Sequence, residues 1–269
     1  MIRAVVALAA MLALAGEVAA AVVADIARET RWANEVVPQL VVGDAVWLAT
    51  PRHPRVLTLY TKAPAATRNA VIVVHGLGVN PDWNLIGVLR TTLADQGFAT
   101  LSVQMPVLAA DAPRDDYQAL FADAGERLTA AVAWLHDNGY ARVAVVSHSL
   151  GAAMVNAWLA QHDERVVDAW VPVGMFVAFA SRPREPVLDV VGERDFPEVL
   201  AAPRRGPRSC PATAARRRRS SPVRITISAM PRSVSPRRSP RSSSARSTAS
   251  AERPTRRRSA WAREEARVR

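Results

Sequence analysis

Of the 269 residues, 49% are apolar, which makes a substantial core available. The formal charge of +11 is placed very unevenly. Residues 1–200 carry 15 Lys and Arg against 21 Asp and Glu, a net of −6, whereas residues 201–269 carry 20 Arg against 3 Glu, a net of +17. The single cysteine, Cys210, excludes an intramolecular disulfide framework.

The first 21 residues read as an export signal. Arg3 gives the positive start, Ala4 to Gly16 is an apolar stretch of 13 residues, and Ala19-Ala20-Ala21 offers a small-residue cleavage site. The stretch is short against the ~20 residues of a membrane span, so no stable span is expected, and the expected location is exported, in the periplasm. An uncleaved anchor or a buried helix is the alternative.

Ala45–Thr50 and Arg55–Lys62 then read as short strands separated by Pro51 and Pro54. "NAVIVVHGLG" is a continuous apolar run ending in glycine, as in a strand buried on both faces. Leu85–Asp95 has helical spacing, and "FATLSVQMP" is a strand closed by Pro106. From Asp115, the positions Leu120, Ala124, Leu128, Val132 and Leu135 follow one helical face to Gly139. "ARVAVVS" is a strand, Leu150–Gln161 a helix, and "VVDAWVPVGMF" and "PVLDVVG" two further strands. Strands alternating with amphipathic helices predict a three-layer α/β domain over residues 22–200. Its sheet is mostly parallel, with the two early strands forming an antiparallel edge.

Ser147-His148-Ser149-Leu150-Gly151 stands where the third parallel strand turns into a helix. That is the context of a nucleophile elbow, with serine in place of the usual first glycine. Five residues alone are a weak signal, since a serine there often only caps the helix. The position strengthens it: the Leu150 amide would point at the helix N-terminus, where developing negative charge is favoured. The Gly-rich turn of "VVHGLG" brings a second N–H, that of Leu77, toward the same oxyanion. Ser149 is therefore the candidate nucleophile.

These residues resemble the α/β-hydrolase superfamily over roughly residues 40–200. More narrowly, "HGLGVNPDW", "GFATLSVQMP" and "SHSLGAA" are similar to an uncharacterised family of exported bacterial hydrolase-like proteins. The resemblance implies the superfamily fold, the chain order Ser…Asp…His, hydrolysis of a small acyl substrate, Ser149 as nucleophile, and Leu77 and Leu150 as oxyanion donors. It names no substrate. Pro81-Asp82-Trp83 reads as a structural loop anchored by its tryptophan. The acid belongs after the strand Pro186–Val191, where Asp195 stands; a solvated turn aspartate is the alternative, and Asp189, within the strand, is the weaker candidate.

The order requires a histidine after Asp195, and none follows: the five are His53, His75, His136, His148 and His162. His162 lies ~20 Å from Ser149 along a helix rising 1.5 Å per residue. His75, beside the oxyanion turn, comes nearest to a plausible base, with a strand-end histidine bonded to backbone as its blander reading.

Beyond residue 200 the composition changes. Arg, Ser, Pro and Ala make up 53 of the last 69 residues, Leu200 is the last leucine, and Trp261 is the only later aromatic. Such a segment is expected to be disordered. Arg/Ser/Pro/Ala text is what GC-rich coding DNA gives out of frame. With suitable codons, Pro222 to Ser228 re-reads from the third base as Gly-Ala-Asp-His-His-Phe, similar to the turn that carries the base in many of these hydrolases. The expectation is a frame change near Ala201–Arg208 that removed the last strand, the base and the last helix, leaving an inactive hydrolase lineage. Two rivals are a non-catalytic exported binding protein on the same fold and a basic tail adsorbing to anionic surfaces. The tail lacks interleaved aromatics for base stacking, and no nucleic-acid partner is expected. No metal-ligand cluster, phosphate-binding loop or dinucleotide fingerprint is present, so no cofactor is expected.

Overall fold

The structure is a computed structural model that describes residues 22–202. The expected leader, the tail and Cys210 lie outside the described residues. Six strands form one sheet: β1 (Asp44–Leu48), β2 (Val56–Thr61), β3 (Asn69–Val74), β4 (Ala99–Val103), β5 (Arg142–His148) and β6 (Ala169–Val173). Their order across the sheet is β1-β2-β4-β3-β5-β6. β1 and β2 are antiparallel to each other, and β2 is antiparallel to β4. From β4 onward every pairing is parallel.

The segment read as the strand Pro186–Val191 continues the sheet, since Trp170 bridges Val187 and Val173 bridges Val190, both parallel. Its amides and carbonyls alternate with those of β6: Trp170 N donates to Pro186 O, Leu188 N to Trp170 O and Val190 N to Pro172 O. With β6 as its partner on one side, it shows as two bridges rather than a full strand.

The helices are α1 (Ile26–Val36), α2 (Leu85–Asp95), α3 (Phe121–Asp137), α4 (Leu150–Ala160) and the short α5 (Pro197–Ala201). α2 runs over the residues its spacing predicts. The helix expected from Asp115 opens as a 3-10 segment, Arg114–Leu120, and becomes α-helical at Phe121. α1 was not anticipated. Asp25 caps it by accepting from Arg28 N at 2.8 Å.

The period-2 alternation of the strands sorts their side chains onto two faces. Ile72, Leu101, Val143 and Val145 join Leu128, Leu135, Met154 and Trp158 of α3 and α4 in the main core. Val71 and Val73 face Ile86 of α2, with Leu89, Leu93, Ala144 and Val146 packed around them. Ala33 of α1 packs on Leu57 and Leu59 of β2. The result is the expected three-layer α/β arrangement.

One loop reading needs correction. Pro81-Asp82-Trp83 is not anchored by its tryptophan, which stands 37% exposed. Asp82 anchors it: Oδ1 accepts from Nε (3.2 Å) and Nη2 (2.6 Å) of the buried Arg90. Arg90 Nη1 also donates to Val42 O and Thr61 Oγ1. A charged fork with three kinds of acceptor fixes the loop better than a ring with one face in water. Ser102 Oγ adds a 2.6 Å bond to Pro81 O.

A second buried charge cluster ties α1 to the rest. Arg127, fully buried on α3, donates to both Glu29 oxygens (2.8 and 3.2 Å), to both Asp123 oxygens (2.9 and 3.1 Å) and to Gln104 O (2.9 Å). Burial pushes the Glu29 carboxyl up from its ordinary value, against the opposing pull of Arg127.

Candidate active site

Ser149 sits between β5 and α4 with φ 52° and ψ −120°. This is a left-handed backbone for a residue with a side chain, a conformation that persists only when its surroundings impose it. Although Ser149 occupies the N-cap position, its side chain makes no capping hydrogen bond. Helix capping, the bland role for a serine here, therefore does not account for it.

The steric reason for the flanking small residues is explicit. A Cβ on Gly151 would collide with His75 O and stand 2.9 Å from Val74 Cγ1. A Cβ on Gly76 would lie 3.1 Å from His148 Nδ1 and 3.2 Å from Ser149 Cβ. The turn after β3 thus lies directly against the elbow. Ser147, which takes the place of the usual first glycine, is fully buried and accepts a 2.9 Å bond from the Trp170 indole N–H. Its hydroxymethyl fills a prepared space.

Ser149 N donates to Val173 O at 2.9 Å, at the end of β6. The next residue, Gly174, has φ 62°, and a Cβ there would be 3.4 Å from Asp195 Oδ2. Ser149 and Asp195 therefore flank the same Val173–Gly174 peptide. The Asp195 carboxylate is held by its own turn: Oδ2 accepts from Gly192 N (3.2 Å) and Oδ1 from Phe196 N (3.0 Å). The Leu77 and Leu150 amides donate to no acceptor among the described residues. Both groups placed in the expected oxyanion hole thus keep a free N–H. Asp189 stands within the segment bridged to β6, between Val187 and Val190.

All five histidines are among the described residues, and each has a defined setting. His75 is completely buried; its Nδ1–H donates to Gly76 O (2.9 Å), and Nε2 accepts from Met105 N (2.8 Å). Burial pushes its pKa down to about 4, with a further push from Arg127 and His148 against the raising effect of the Gly76 bond. It is a neutral strut between the ends of β3 and β4. His148 Nδ1 is buried without a hydrogen-bond partner among the described residues, facing Gly76. Burial lowers the His148 pKa, and the Asp195 charge opposes this. His53 Nε2 lies 2.9 Å from Asp123 Oδ2, His136 Nδ1–H donates to Tyr140 O, and His162 meets Trp158 edge-on. None is recorded in a hydrogen bond with the Ser149 hydroxyl or the Asp195 carboxylate.

Two residues beside this site escaped the sequence reading. Arg28 of α1 donates from Nη1 to Leu108 O (2.6 Å) and from Nη2 to Gly78 O (3.0 Å), so it braces the loops after β4 and β3. Tyr117 packs its ring in the core and brings its hydroxyl within 3.8 Å of the position a Cβ on Gly78 would take. Among the described residues no group of three or more His, Cys, Asp or Glu could hold a metal ion, and no helix is long and apolar enough to cross a membrane.

A parallel sheet with an antiparallel edge, and a strained serine between the third parallel strand and its helix, define an α/β fold of the hydrolase type. The chain belongs to the alpha/beta hydrolase family, which matches residues 71–268. A second family, a protein of unknown function (DUF3530), matches residues 4–125. No curated protein matches the chain. Similar solved structures include an α/β serine hydrolase without a lid from Xanthomonas campestris, at 16% identity and a TM-score of 0.48, covering 60% of this chain and 77% of that one. An α/β serine hydrolase homologue from Coxiella burnetii has 15% identity and a TM-score of 0.48, covering 60% and 81%. A dienelactone hydrolase from Anabaena variabilis has 21% identity and a TM-score of 0.46, covering 58% and 76%.

Proposed function

We infer that this chain is of serine-hydrolase lineage, with Ser149 in the nucleophile position, and that as written it does not turn over acyl substrates. The observation that carries the first half is the Ser149 backbone, strained at φ 52° and ψ −120° with no capping bond to explain it. In the inherited chemistry the Ser149 hydroxyl oxygen adds to an ester or similar carbonyl, and its proton passes to a base. The Leu77 and Leu150 amides hold the oxyanion, and the base then protonates the leaving group. Water completes the cycle by the same route in reverse. Asp195 would orient the base.

The second half follows from the missing proton acceptor. No histidine follows Asp195, and the upstream five have the settings described above. Without that group only the residual catalysis of oxyanion hole and binding remains, orders of magnitude below a complete triad. We further propose an exported, periplasmic protein with a leader over residues 1–21, a hydrolase-like body over 22–200, and a segment over 201–269 written in a changed frame. Resequencing codons 195–230 tests this last point, and an unaltered frame would overturn it.

The test of activity compares initial rates of p-nitrophenyl acetate hydrolysis by the full chain and by Ser149→Ala. The expected result is equal rates. A Ser149-dependent turnover approaching the ~1 s⁻¹ of an ordinary enzyme would overturn the inactive reading.

A further inference from the structure

Arg28 presents a charge without a counter-charge. It is half-buried, its guanidinium carbon sits 4.6 Å from the centroid of Trp32, and its two recorded acceptors are the neutral carbonyls of Leu108 and Gly78. No carboxylate lies within ion-pair distance of it among the described residues. The carboxylates nearest in sequence are occupied: Asp25 accepts from the Arg28 backbone amide, and Glu29 pairs with Arg127. A guanidinium has five N–H donors, so Arg28 keeps donors in reserve. A charge drawn partly out of water is ordinarily neutralised by a partner.

Tyr117 adds an independent oddity. The residue is 2% exposed, yet its hydroxyl makes no hydrogen bond among the described residues. The oxygen is not one of the fully buried unpartnered atoms, so it reaches solvent and is free to meet a ligand. Both unfinished donors converge on one place. The position a Cβ would take on Gly78 lies 3.6 and 3.9 Å from the Arg28 guanidinium nitrogens and 3.8 Å from the Tyr117 oxygen. These distances bring the Arg28 nitrogens and the Tyr117 oxygen to the same side of the Gly78 backbone. Gly78 is two residues from Gly76, which touches the elbow; two Cα–Cα steps span at most about 7.6 Å.

We propose that Arg28 and Tyr117 form a subsite for a carboxylate carried by the acyl substrate, beside Gly78 and within a short chain's reach of Ser149. The planar carboxylate matches the guanidinium fork and accepts from the phenol. A substrate of this class is the half-ester of a short dicarboxylic acid. The inference rests on the hydrolase reading for the word substrate; the binding itself needs no nucleophile.

Accordingly, the test uses the full-length Ser149→Ala protein, in which no ester is consumed. Monomethyl succinate, dimethyl succinate and inorganic phosphate are titrated calorimetrically at low salt. Monomethyl succinate should bind at least tenfold more tightly than its neutral diester. Adding Arg28→Gln should abolish that preference, Arg28→Lys should restore part of it, and Tyr117→Phe should weaken it several-fold. Adsorption to the arginine-rich segment would be indifferent to these substitutions, so equal binding by the Arg28→Gln protein overturns the proposal. Tighter binding of phosphate than of monomethyl succinate overturns it too, by pointing to a free-anion site. Should Arg28→Gln fail to fold, Tyr117→Phe decides alone, and an unchanged preference there refutes the subsite. A retained preference with Ser149 unlabelled by a fluorophosphonate even in added imidazole would sink the hydrolase reading and leave the subsite standing.

Discussion

Lowering the pH should destabilise the fold through His75, by an amount the structure sets. Buried between Gly76 O and Met105 N, its imidazole is neutral in the folded protein, with a pKa of about 4 against 6.5 for the free side chain. The unfolded chain therefore binds a proton at a pH where the folded one does not, so stability falls as pH drops below about 6.5 and levels off near 4. The full window is about 2.5 units, or about 3 kcal/mol at 1.36 kcal/mol per unit. Between pH 7 and pH 5 the share is about 2 kcal/mol. Urea unfolding of the full chain at both pH values, alongside His75→Gln, isolates this contribution. Gln keeps an acceptor for Met105 N and does not titrate, so its pH dependence should be flatter by about 2 kcal/mol. His148, whose pKa is lowered in the same direction, is present in both proteins, so the difference between them reports His75 together with its smaller coupling to His148. Parallel curves for the two proteins would refute the assignment of His75 as a neutral strut.

Ser149→Gly should raise stability by about 1 kcal/mol in thermal unfolding, because the strain at φ 52° exceeds the added chain entropy of glycine. A loss would mean the elbow is unstrained. Ser147→Ala should cost about 1–3 kcal/mol by leaving the Trp170 indole N–H buried and unpaired. Urea titration followed by tryptophan fluorescence measures it. Arg127→Met should cost about 3–5 kcal/mol at pH 7, since Glu29 and Asp123 would both lose their shared cation. Part of that loss should be recovered by lowering the pH, because burial raises the Glu29 pKa and loss of Arg127 removes the charge that opposes this.

The sheet and α2–α4 were legible because strand and helix periods differ and each segment carries one of them. α1 was missed although its signals are present: Asp25 stands at the cap, and Glu29, Trp32, Ala33 and Val36 follow at helical spacing. The strained turn at Ser149 was legible for a steric reason, since Gly151 has no room for a Cβ against His75. Trp83 misled because an aromatic in a loop reads as an anchor, whereas the Asp82–Arg90 pair that holds the loop lies eight residues apart across a turn. Arg28, Gly78 and Tyr117 share no local pattern at all. Their convergence depends on how α1, the β3 turn and the 3-10 segment pack, which no spacing rule encodes.

The most direct test of the central claim is chemical rescue of labelling. The full chain and Ser149→Ala are incubated with a fluorophosphonate, with and without imidazole, and the adduct is located by mass spectrometry. A nucleophile whose base is missing should label at Ser149 only when imidazole is added, and Ser149→Ala should stay unlabelled. Rapid labelling of Ser149 without imidazole would show that the chain supplies a base after all. No labelling under either condition would remove Ser149 from the nucleophile position.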